Sequence, residues 1–131
     1  MSSNYQQVFL RFTEETIPKK VVQKHQRVHI AAAQLLIDQT PVKTGRARAN
    51  WNNAIDEPDT SVDMDARDPD GYEGKVQAAE FAAQIKEPSK TYITNSLDYV
   101  VKGLENGTSQ QAPVGIVKVV APAVLQIAER Q

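Results

Sequence analysis

Two histidines, His25 and His29, stand four residues apart. On a helix that spacing puts both imidazoles on one face, the arrangement that zinc sites use. A metal site needs a third ligand and usually a nearby acid. Here Gln26, Arg27 and Val28 intervene, and Lys24 adds a further positive charge. Cations repel a metal ion, so a solvated or interface histidine pair is expected. A second candidate is the run Asp63, Asp65, Asp68 and Asp70 ahead of Gly71. With Gly71 at the invariant glycine of a calcium loop, Ala66 falls on the first ligand and Gln77 on the bidentate glutamate. The loop therefore reads as solvated and acidic, with no metal.

Other chemistries fail on residue type. The chain has no cysteine, which excludes disulfides, zinc–thiolate sites, iron–sulfur clusters and thiol nucleophiles. Gly103 and Gly107 are isolated, and Lys43-Thr44-Gly45-Arg46 is not a phosphate-binding loop. No nucleophile elbow is present. The expectation is a protein that binds rather than catalyses, with no cofactor.

The 131 residues, 40% hydrophobic and 24% charged, suit one ordinary domain. A net charge of −1 gives no global electrostatic case for nucleic acid or an anionic membrane. The longest apolar run, Ile116 to Leu125, is interrupted by Lys118 and Pro122 and is too short to span a bilayer. The first residues lack a basic region and apolar segment, so a soluble cytoplasmic protein is expected, with the Asn106-Gly107-Thr108 glycosylation match idle. The charge is unevenly placed. Residues 1–50 carry eight basic and three acidic side chains, residues 51–75 two and eight, and residues 76–131 five of each. One basic end and one acidic belt point either to contact with copies of itself or a protein partner, or to balance within the chain.

The elements that must position these residues follow from spacing. Residues 1–12 read as an extended arm. Ile17, Val21, Val28, Ala32 and Leu35 recur at helical spacing, predicting a helix from about Glu14 to Asp38, capped by Thr13 or Thr16 and closed at Thr40-Pro41. From Arg46 to Ile55 the alternation of Ala47, Ala49 and Trp51 with Arg46, Arg48 and Asn50 predicts a half-buried strand, with Trp51 anchoring sheet to helix. Residues 56–74 hold most of the acids with two prolines and two glycines, predicting a long polar loop. A helix is predicted from about Tyr72 to Lys86, a strand over Thr91–Asn95, and a short helical segment over Leu97–Leu104. Ile116–Val120 reads equally as strand or helix, with Pro122 either kinking a helix or separating the two.

Two blocks resemble a known family. Residues 40–51, TPVKTGRARANW, and residues 92–115, YITNSLDYVVKGLENGTSQQAPVG, are similar in order and spacing to the neck and tail-completion proteins of long-tailed bacteriophages. With the flanking helices the resemblance covers most of residues 13–130. Within the blocks, Gly45 permits a turn that a side chain would obstruct, and Thr44 can hydrogen-bond the turn backbone. Arg46 and Arg48 are expected on a strand's polar face, offering forks to carboxylates. Asn95, Asn106 and Gly107 supply turn chemistry, and Gly115 after Pro113 leaves room for a closely packed helix start. Lys43 and Asp98 depart from the family's Asp and Pro, and a kink is expected at Pro122.

The resemblance implies an α+β fold with a long N-terminal helix on a small antiparallel sheet and further helices, one of them C-terminal. It implies a structural virion protein at the neck, assembled in the host bacterial cytoplasm. Such proteins form a ring, commonly hexameric, joining the head-completion or adaptor protein below the portal to a tail terminator or tail-tube protein. Genomic DNA passes through the lumen without specific binding. Expected contact residues are Lys19, Lys20, Lys24, Arg27, Arg46 and Arg48 on the basic side. Asp63, Asp65, Asp68 and Asp70 oppose them on a neighbour, or line the channel. A tail terminator capping the tube is the alternative within the same class. A small nucleic-acid-binding module is the alternative outside it, and the acidic isoelectric point and single Trp speak against that one.

Overall fold

The computed structural model describes the backbone of residues 8–13 and 19 and the full residues 20–100 and 115–130. In chain order the elements are β1 (Val8–Thr13), α1 (Lys19–Gln39), α2 (Arg46–Ala49), β2 (Asn52–Ile55), α3 (Tyr72–Ala83), β3 (Lys90–Asn95) and α4 (Val117–Arg130). The fold is α+β. The sheet is antiparallel in the order β1-β3-β2, with Val8 opposite Asn95, Thr13 opposite Lys90, and Asn52 opposite Thr94. Part of the predicted N-terminal arm is thus an edge strand. The Thr13 and Thr16 caps are not assigned, because residue 16 and the side chain of residue 13 lie outside the described residues.

The long helix forms as its apolar spacing requires. Val28, Ala32, Ala33, Leu36 and Ile37 turn inward against Ile93 of the central strand, Trp51, Val100 and Ile116. A smaller cluster of Val22, Ala82 and Ile85 joins α1 to α3, with Phe81 and Ile30 packed on it. Trp51 is buried in the main cluster and its indole N–H donates to Thr40 Oγ1 at 2.9 Å, as an anchor between sheet and helix should.

Two predicted elements change. The strand expected from Arg46 is a short helix over Arg46–Ala49, and strand begins only at Asn52. Alternating Arg and Ala carries no β preference, and both are strong helix formers, so Gly45 and the local hydrogen bonds decide. The ambiguous segment is helix from Val117. Ile116, Val120, Val124 and Ala128, four residues apart, all pack on the core, so the helical period outweighs the β-branched composition. The helix runs through Pro122, which stands at an exposed position.

Candidate functional site

The first resembling block folds into a polar knot. Gly45 sits at φ +85°, a left-handed conformation, and a Cβ there would come within 2.8 Å of Pro69 N. Glycine is required on both counts. Thr44 Oγ1 accepts from Arg46 N–H at 3.3 Å, the predicted turn bond. The Gly45 carbonyl accepts from Ala49 N–H, starting α2, and from Asp68 N–H, drawing in the far end of the acidic loop. Thr40 Oγ1 donates to the Leu36 carbonyl while accepting from Trp51, which closes the end of α1.

The arginines of this block do not present forks to carboxylates. Arg46 Nε donates to the Met64 carbonyl at 2.8 Å. Arg48 donates through Nε to the Thr40 carbonyl at 2.9 Å and through Nη1 to the Pro69 carbonyl at 3.1 Å. Because α2 is helical, both side chains wrap the loop instead of standing off a strand. Asn50 completes the stitching: its Nδ2 donates to the Arg46 and Asp63 carbonyls, and its Oδ1 accepts from Asp63 N–H. The second block meets the first at Asn95, buried on β3, whose Nδ2 donates to the Ala47 carbonyl at 2.9 Å and whose Oδ1 accepts from Leu97 N–H. Asn106, Gly107, Pro113 and the Lys19 side chain lie outside the described residues. Gly115, at φ +86°, makes the turn just ahead of α4.

The acidic loop is ordered rather than merely solvated. Asp63 and Asp70 each accept the N–H two residues on, at 2.9 and 3.0 Å, which fixes local Asx turns. Asp63, Asp65 and Asp70 remain exposed. Asp68 departs from the expectation of a partner contact: it is 5% exposed, and its carboxylate accepts from Glu73 N–H at 3.3 Å and Gly74 N–H at 2.8 Å. It caps α3, where an anion meets the positive end of the helix dipole. A small polar pocket beside it is lined by Ala49, Arg67, Asp68, Glu73 and Gln77.

The histidine pair is buried, not solvated. His25 and His29 are among the most enclosed side chains, facing β3 from α1. His29 Nε2 lies 2.8 Å from Asn53 Oδ1 and must donate to it. His29 Nδ1 then accepts from Thr91 Oγ1 at 3.2 Å, which leaves the Thr91 oxygen to accept from His25 Nε2–H at 2.9 Å. One consistent chain therefore runs from α1 through β3 to β2, with both rings neutral. Burial lowers both pKa values; His29 is pushed down to about 4, opposed by its bond to Asn53, and a proton on His25 would repel one on His29 and lower it further. Phe81 of α3 closes the pocket over His29, ring centroids 4.8 Å apart.

Among the described residues no group of three His, Asp or Glu side chains is placed to hold a metal ion, and no helix is long and apolar enough to cross a membrane. The chain matches no family model, no curated protein and no solved structure. Sequence reading missed Thr40, Asn50, Asn53 and Thr91 as site residues. Each is a small polar side chain with a partner more than ten residues away, Trp51, Asp63, His29 and His25 in turn, which local spacing does not mark.

Proposed function

We propose that this chain is a structural virion protein of the phage neck, working as a ring that joins the head-closure complex to the tail tube around the DNA channel. The observation that carries the reading is that the two resembling blocks meet in space. Thr40, Gly45, Arg46, Arg48, Asn50 and Trp51 from one, and Asn95 from the other, form a single interlock. Residues needed only to hold an acidic loop on a scaffold account for the types and spacing of the motif without any reactive role.

Asp68 is buried as the cap of α3 and is spent within the chain, whereas Arg46 and Arg48 commit one and two of their five N–H groups to backbone carbonyls. The exposed Asp63, Asp65 and Asp70 then serve the lumen best. Phosphate affinity grows with the cations that neutralise it, and a wall of like charge lets DNA pass. The test is omission of the protein from an infected cell. Filled heads beside unjoined tails of normal length are expected. Overlong tail tubes would instead mark a terminator, and joined infectious particles would overturn the neck reading.

A further inference from the structure

Two arginines from different parts of the chain converge on one backbone oxygen. Arg46 of α2 donates through Nε to the Met64 carbonyl, and Arg67 of the acidic loop donates through Nη1 to the same carbonyl, each at 2.8 Å. Arg67 Nη1 also reaches the Ala66 carbonyl at 2.8 Å. Each guanidinium spends a single nitrogen there, so the other N–H groups of both forks stay available. Among the described residues neither guanidinium pairs with a carboxylate. Asp63 and Asp65 flank Met64 and are exposed, yet the Asp63 carboxylate accepts from the Asp65 N–H instead. Tyr99, 43% exposed, completes the group. Burial raises its pKa, and the charges of Arg46 and Arg67 and the Ala47 backbone oppose that rise, which places its hydroxyl beside both arginines.

We propose that Arg46, Arg67 and Tyr99 form a binding site for a single phosphate group, free or as a monoester. Two like charges held side by side repel each other, and a dianion between them turns that repulsion into attraction. A carboxylate carries one negative charge and lies flat, so one arginine fork satisfies it. A phosphate monoester carries about −1.5 to −2 at pH 7 and directs its oxygens several ways, which suits two forks and a hydroxyl arriving from three segments of the chain. The surroundings choose between sources of phosphate. Asp63 and Asp65 are exposed on either side of Met64, and Glu73 lines a small polar pocket with Arg67. Those carboxylates repel the successive phosphates of a nucleic-acid strand, whereas an isolated group brings no further charge near them. The site is independent of the neck role.

Titration of the purified full chain with inorganic phosphate at constant ionic strength, followed by nitrogen–proton NMR, tests the site. The Arg46 Nε–H, held on the Met64 carbonyl, and the Ala47 backbone N–H are the reporters. Saturable shifts of both are expected, with half-saturation in the millimolar range. Arg67→Gln is expected to weaken binding at least about tenfold and Tyr99→Phe about threefold, with the rest of the spectrum unchanged in each. Arg67→Lys, which keeps the charge and loses the fork, is expected to fall between Arg67→Gln and the wild type. Phosphoserine should match inorganic phosphate, and acetate should bind at least about tenfold more weakly. A wild type that shows no saturation at tens of millimolar phosphate, or an Arg67→Gln variant that binds as well as the wild type, overturns the site. Acetate binding as tightly as phosphate overturns the choice of ligand. Duplex DNA that binds more tightly per phosphate than inorganic phosphate overturns the restriction to an isolated group.

Discussion

The arginine knot around α2 and the histidine chain under α1 are both polar clusters that tie helix to sheet or loop, yet they solve opposite problems. Arg46 and Arg48 lie at the rim, keep their charge, and donate to backbone carbonyls of a loop that would otherwise be held by little apolar contact. His25 and His29 lie inside, surrender their charge, and share one threonine hydroxyl. Charge survives where water can reach it; where it cannot, the same fold uses neutral rings in a closed donor–acceptor chain. The first cluster should be tolerant of pH and sensitive to shape, and the second the reverse.

The largest effect expected is on shape. Gly45→Val combines a disfavoured backbone conformation with overlap on Pro69, and a loss of about 3 kcal/mol or more is expected in urea unfolding. Acid comes next. The folded pKa of His29, about 4, lies below its ordinary value of 6.5, so the unfolded chain holds the proton more tightly. This contribution is complete above pH 6.5 and is lost as pH falls toward 4, amounting to about 3 kcal/mol at the bottom of that window. Melting curves across that range check it, and His29→Gln should flatten this part of the profile. If the profile is flat in the wild type, the neutral-chain account of the cluster is wrong.

Smaller effects separate the rim contacts. Asp68→Ala removes a helix cap and should cost about 1 kcal/mol, read by the same unfolding curves. Arg46→Ala loses one exposed bond to a carbonyl and should cost about 0.5–1 kcal/mol, while raising proteolytic nicking between residues 56 and 71. Lys20→Glu should change stability by no more than about 0.5 kcal/mol, since its side chain is exposed on the surface. A large loss of stability there would mean that α1's basic face is part of the monomer fold rather than a contact surface.

These contrasts mark what was legible in the chain. The period of Val28, Ala32 and Leu36 and the run Thr91–Asn95 read directly as helix and strand, because burial imposes its spacing on the residues themselves. Gly45, Thr44 and Trp51 were legible for a similar reason: a left-handed turn, its hydroxyl partner and a large indole have few other uses. Arg46–Ala49 misled because alternation over four residues fits strand and helix alike, and only the Gly45 carbonyl and Asn50 decide between them. The burial of His25, His29 and Asp68 was not legible at all. The histidines are made affordable by partners distant in sequence, Thr91 and Asn53, of which spacing carries no trace, and Asp68 by N–H groups of α3 five and six residues on, which only the turn at Gly71 brings to it.

Gold labelling of an epitope on this chain in virions of the phage that encodes it tests the central claim most directly. The account predicts label at the junction of head and tail in joined particles. Label at the distal end of the tail, or purified virions that carry none, would contradict it.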